Sequence, residues 1–177
     1  MIQLIPIVLS AISMVANGYG NPTMAAPAPI VVQCSLPAAD QDADGVTWAT
    51  GTGYQLDLAQ PICKKLNAFA RSPKLKGDDF SNSATEMAWA LRVASHEASH
   101  IYFWREGFTV PMEKTTDCRG VMQVYNFARK LGASKATAQR VYRLNTEIAL
   151  DNGYASRCDQ GHPFKPPISV PPGITSR

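Results

Sequence analysis

The residues with the clearest chemical potential are His96-Glu97-Ala98-Ser99-His100. Two histidines four apart project from the same side of a helix, roughly 40° apart around an axis of 3.6 residues per turn. Both imidazoles then reach one metal ion, and zinc is the usual ion for such a pair. Glu97 stands beside that ion rather than on it, where its carboxylate can take a proton from water that the metal acidifies. The chemistry is metal-assisted hydrolysis, with His96 and His100 as ligands and Glu97 as general base. The competing interpretation is two packing or surface histidines that happen to fall four apart, so the surrounding elements have to decide.

Those elements are helical. Ser83 and Glu86, three apart, form a capping-box signature for a helix start. Ala84, Ala88, Leu91, Ala94, Ala98 and Ile101 recur at helical spacing as a core stripe. Trp89, Val93, His96, His100 and Phe103 mark the neighbouring stripe, which puts the histidines at the edge of a cleft. The helix is expected to end near Arg105 and Gly107, with Pro111 preventing a simple continuation.

A third ligand has to come from an element that folds back, and Glu113 is the leading candidate. It begins a helix expected to run to about Leu131 and to stop at Gly132. Asp117, one turn later, can accept a hydrogen bond from the outer N–H of a ligating histidine and fix its tautomer. Two rivals stay open. Glu106 lies six residues after His100, but on a continued helix it points about 120° away. Asp117 could instead bind directly, or both carboxylates could simply favour the first turn of a helix.

The run HExxH followed by ExxxD, with a small residue soon after, resembles the gluzincin branch of the zincin metallopeptidases, over roughly Trp89 to Leu131. That resemblance implies a compact zincin-like core, one catalytic zinc on His96, His100 and Glu113, a steadying role for Asp117 and a peptide or protein substrate. It also implies an edge strand, here Tyr54 to Leu58, that aligns an extended peptide. The chain departs from the metzincin branch, which needs a glycine where Phe103 stands. The wider layout is similar to a group of uncharacterised secreted bacterial proteins with a zincin-like core. Shared features are an early cysteine, the ICKKL helix, HEAxH, an acidic-Cys motif, LGAS and a late cysteine.

The rest of the chain sets the frame. Its 177 residues suffice for one domain with a sizeable core. The net charge of +3 comes from scattered basic residues, which argues against a nucleic-acid surface. No apolar run after the first twenty residues is long enough to span a bilayer. Nothing in the sequence specifies an oligomeric state.

Residues 1–20, apolar from Ile2 to Ala16 and then broken by Asn17-Gly18-Tyr19-Gly20, resemble a secretory signal peptide cut after Gly18 or Gly20. The positive start is missing beyond the amino terminus itself, and an uncleaved anchor is the competing expectation. A linker over 21–33, a metal-binding domain over 34–165 and a Pro-rich tail over 166–177 follow. The predicted localisation is secreted or cell-envelope, with no stable membrane insertion after cleavage.

Cys34, Cys63, Cys118 and Cys158 are widely spaced without a CxxC pair, which points to two disulfides rather than a thiolate metal site. Of three possible pairings, Cys34–Cys63 with Cys118–Cys158 is favoured because each joins neighbouring segments. Asp40-Gln41-Asp42-Ala43-Asp44-Gly45 opens like a calcium loop, yet Gly51 stands where the closing acidic ligand belongs, so a solvated acidic turn fits better.

A hairpin is expected within Val46 to Leu58 around Gly51-Thr52-Gly53. Pro61 can open a helix with Ile62, Leu66 and Phe69 inward. Ser134 can cap a last helix reaching about Leu150, with Ala138, Val141, Leu144 or Asn145, and Ile148 inward. Tyr154 and His162 follow, where either could steady a tetrahedral intermediate, although surface positions suit both better. The fold class is mainly α with a minor β part. The expected function is a secreted zinc metallopeptidase, and the alternative is a non-catalytic module that keeps zinc for stability. A calcium-dependent surface protein is a third expectation.

Overall fold

The computed structural model describes residues 2–18, 29–36, 43–77, 81–108 and 113–151, with side chains through residue 147. In chain order these form α1 (Pro6–Ala16), β1 (Ile30–Gln33), β2 (Gly45–Ala49), β3 (Tyr54–Leu58), α2 (Gln60–Arg71), α3 (Asn82–Arg105), α4 (Glu113–Lys130) and α5 (Lys135–Asp151). The fold is mainly helical with one small sheet.

The central element is α3, which touches all four other helices and strands β2 and β3. Its expected stripe, from Ala84 to Ile101, is fully buried. It starts two residues earlier than the capping box implies. Ser81, not Ser83, caps it, its Oγ accepting the Ala84 N–H at 3.2 Å. Glu86 is left outside the cap and pairs with Lys65 at 3.2 Å on the surface.

Both long helices that carry site residues end in the same way. Gly107 (φ +90°) and Gly132 (φ +93°) take the left-handed conformation that closes a helix with crossed backbone bonds. Phe108 N–H reaches Phe103 O and Gly107 N–H reaches Trp104 O, each at 3.0 Å. Phe103 and Phe108 meet edge-to-face across that turn. Ser134 caps α5 by accepting the Thr137 N–H at 3.0 Å, and α4 and α5 pack as the expected hairpin. Asn145 joins α5 to α3 through a 3.0 Å bond to Ala88 O, while Ile148 falls outside the described side chains.

The expected hairpin is present as β2 antiparallel to β3, with Thr47 opposite Leu56 and Gly45 opposite Leu58. It belongs to a larger sheet, because β1 pairs parallel to β3 and gives the strand order β1-β3-β2. The linker assigned to 21–33 therefore ends early: its Ile30-Val31-Val32 run is β-branched and pairs as a strand. Strand β3, read as the substrate-aligning edge, is instead the central strand, with β1 and β2 at the edges and β2 the one beside α3.

Residues 6–16, read as part of an export signal, form a helix with Val8, Ala11, Ile12, Val15 and Ala16 fully buried. Asn67 of α2 accepts the Ile5 N–H at 3.0 Å and donates to Gln3 O at 2.7 Å. At the other end, Arg119 of α4 donates to Val15 O at 2.9 Å, with its guanidinium 3.6 Å from the Tyr102 ring centroid.

One disulfide, Cys34–Cys63, is formed among the described residues, where two were expected in the whole chain. It ties the end of β1 to α2 across a Cα separation of 6.0 Å. The other expected pair falls outside this description because Cys158 does. No helix among the described residues is long and apolar enough to cross a membrane.

Candidate metal centre

His96 and His100 project from α3 toward the start of α4, and their Nε2 atoms stand 3.1 Å apart. Glu113, the first residue of α4, brings Oε2 to 3.3 Å from His96 Nε2 and Oε1 to 3.4 Å from His100 Nε2. A tetrahedral ion with bonds of about 2.0–2.2 Å needs ligand atoms about 3.3–3.6 Å apart. The observed spacings of 3.1–3.4 Å lie close to that range, each histidine facing a different Glu113 oxygen, and the three residues are the group among the described residues that could hold an ion. Glu106 lies outside this group, at the C-terminal cap of α3. Asp117 addresses the far side of His96, with Oδ1 3.4 Å from Nδ1, so it faces the outer nitrogen and not the ligand atom.

Close helix packing makes this convergence possible. A Cβ on Gly120 would lie 2.9 Å from His96 Cα and 3.0 Å from its nitrogen, so only glycine lets α4 approach α3 here. Ser95 Oγ, one residue before His96, donates to Gly120 O at 2.9 Å and pins the crossing.

Residues without a signal of their own in the sequence complete the surroundings. Arg92, almost fully buried one turn before His96, grips Asp117 through Nε to Oδ1 at 3.1 Å and Nη2 to Oδ2 at 2.5 Å. Thr116 Oγ1 stands 3.5 Å from His100 Nδ1. Thr47 of β2 donates its hydroxyl to Glu97 Oε2 at 2.8 Å. The ring of Trp104 stacks on His100 at 5.9 Å and on Tyr54 at 6.0 Å. Arg92 and Trp104 lie four residues to either side of the histidine pair, but that spacing alone does not say that either joins the site. Thr47 lies about fifty residues away in the chain, and only the fold brings it close.

A cleft of about 210 Å³ opens at this point, lined by Gly45, Val46, Thr47, Trp104 and the four residues His96, Glu97, His100 and Glu113. A Cβ on Gly45 would lie 2.8 Å from Glu97 Cγ, so the bare glycine makes room for the Glu97 side chain.

The electrostatics separate the two histidines in the metal-free protein. Burial opposes charge on His96, but the carboxylates of Asp117 and Glu113 outweigh it and lift its pKa to about 9. Burial and the neighbouring His96 charge push His100 down to about 4. Glu113 is held below the usual carboxylate range, first by its bond to His96. For Asp117, burial works the other way, yet His96 and Arg92 bring it below that range too. Glu97 is pushed above it by burial, against the opposing pull of His96 and the Thr47 hydroxyl.

Asp44 of the acidic run accepts the Trp89 indole N–H at 2.6 Å, which ties up one carboxylate of the calcium-loop reading. Asp40 and Asp42, like Tyr154 and His162, lie outside the described residues. No protein-family model, no curated protein and no solved structure matches this chain.

Proposed function

We propose that this chain is an exported zinc metallopeptidase of the zincin type. The observation that carries the proposal is convergence: two imidazoles and a carboxylate at ion-binding distances, with the Glu97 carboxylate lining the same cleft. Two nitrogens and one oxygen suit zinc, and three protein ligands leave a position open, as catalytic sites require. A divalent cation held there supplies Lewis acidity that acidifies water and polarises a carbonyl. Glu97 accepts the proton of the attacking water and returns it to the leaving amine. Its raised pKa suits it to both transfers, and Thr47 fixes one of its carboxylate oxygens where the residue lines the cleft. Asp117 and Thr116 face the outer nitrogens of His96 and His100 at 3.4 and 3.5 Å, which leaves the inner ones for the metal.

An extended peptide has a place to lie. Ala59 N–H bonds Asp44 O at 2.9 Å and Thr50 N–H bonds Gly53 O at 2.8 Å. Alternation along an antiparallel pair then turns the backbone groups of Gly45 and Thr47 away from β3. No strand among the described residues pairs with that edge, and both residues line the cleft. A substrate backbone would add there as a further strand. The disulfide fits an oxidising compartment outside the cytoplasm.

The test is elemental analysis of the purified protein together with cleavage of a broad peptide library by the zinc-loaded form. Glu97→Gln is expected to keep zinc and lose about 100- to 10,000-fold in turnover. A wild type that binds zinc and cleaves nothing supports the zinc-stabilised module instead.

A further inference from the structure

We infer that Arg92 is a positioning residue of the metal centre: it clamps Asp117 so that one carboxylate oxygen is held against the outer nitrogen of His96. The inference rests on the metal-centre reading of His96, His100 and Glu113. Its evidence is geometric. Arg92 and His96 lie one turn apart on α3, and Asp117 reaches between them from α4. The guanidinium engages both Asp117 oxygens, through Nε to Oδ1 at 3.1 Å and Nη2 to Oδ2 at 2.5 Å. Two parallel bonds fix the plane of a carboxylate, which a single contact does not do. The oxygen shared with Arg92 Nε is the one that lies 3.4 Å from His96 Nδ1.

The placement is built rather than incidental. Arg92 is 3 % exposed and Asp117 6 %, so neither side chain is drawn to this geometry by solvent. The Trp89 ring lies 5.3 Å from the guanidinium carbon. Arg92 Nη1 and His96 Nδ1 are both buried without a hydrogen bond; Arg92 keeps its two bonds to Asp117, whose Oδ1 is the carboxylate oxygen that faces the buried Nδ1 at ion-pair distance. The outer nitrogen of His100, by contrast, faces a neutral hydroxyl, Thr116 Oγ1, among the described residues. The centre is thus asymmetric, with the anchored carboxylate serving one histidine alone.

The test compares zinc binding by wild type, Arg92→Lys and Arg92→Met in competition with a chromophoric chelator, beside ¹⁵N spectra of the histidine rings. Arg92→Met is expected to weaken zinc 10- to 100-fold, the range seen when an outer partner of a ligand is removed. Arg92→Lys, a point charge without a fork, is expected to recover only part of the loss. The Nδ1–H signal of His96 is expected to exchange faster with water in both variants while that of His100 stays as in wild type. That difference separates positioning from general loss of packing, which would disturb both rings. If Arg92→Met does not fold, Arg92→Lys carries the same test. Wild-type affinity and an unchanged His96 signal in the folded variants overturn the inference and leave the metal centre standing. A wild type that binds no zinc overturns both.

Discussion

Without metal, a proton on His96 takes the place of a cation between Glu113, Asp117 and His100, which is why His96 titrates near 9 and His100 near 4. Zinc bound as proposed would have to displace that proton. Its affinity is therefore expected to rise with pH from above about 4 up to about 9, and to level off beyond, in chelator-competition titrations across that range. The metal-free protein has a matching signature. The raised His96 contributes stability below its unfolded value near 6.5 and loses it as pH rises through about 9. The lowered His100 contributes above 6.5 and loses it as pH falls through about 4. For these two groups together, metal-free stability peaks near pH 6.5, and denaturant midpoints measured from pH 4 to 9.5 test it. The choice of third ligand has its own test: Glu113→Ala is expected to abolish bound zinc in elemental analysis, while Glu106→Ala keeps it. At this scale the sequence was legible where ligands share a helix. His96, Glu97 and His100 stood out by their spacing once the helical stripes around them were read, and Glu113 led Glu106 and Asp117 because a third ligand needs an element that folds back. Arg92 and Thr47 were not legible, since a buried ion pair and a strand-to-helix hydrogen bond depend on contacts between distant segments.

Among the elements, the α3–α4 crossing decides whether the ligands meet. Gly120 sits where a methyl group would press on the His96 backbone at 2.9 Å. Gly120→Ala is expected to cost about 1–3 kcal/mol, read as a lower denaturant midpoint at unchanged m-value. It should also weaken any zinc bound as proposed, because the strain falls on the backbone of His96. The helices themselves were readable from apolar periodicity, their closing glycines and Ser134. The start of α3 was not, because Ser81 and Ser83 both resemble caps and only the backbone direction before Asn82 selects one. Strand β1 was hidden beside a Pro- and Ala-rich stretch, and four residues carry too little pattern to show pairing. Without β1, the hairpin looked two-stranded, and the edge went to β3 instead of β2.

For the molecule as a whole, the sheet is tied to the helices covalently and the helices enclose α1. Reducing Cys34–Cys63, which closes a loop of 29 residues in sequence separation, is expected to lower stability by about 3–4 kcal/mol if chain entropy governs the effect. The larger contribution comes from α1. Three of its side chains, Val8, Ile12 and Val15, are fully buried, each worth about 1.5–3 kcal/mol relative to exposure. Their sum is comparable with the 5–15 kcal/mol that typically separates a folded domain from its unfolded chain. Cutting after Gly18 or Gly20 would also leave Asn67 without its contacts to Gln3 and Ile5, and Arg119 without Val15 O. A chain starting at residue 21 is therefore expected to melt at a markedly lower temperature than the full chain and to bind an apolar dye such as ANS. Equal melting temperatures and no dye binding would mean that the groove between α2, α3 and α4 closes on itself when α1 is gone. Zinc affinity separates the roles of the two halves. None of the three proposed ligands lies on α1, so if the short chain still folds, it is expected to bind zinc as the full chain does even as it loses stability.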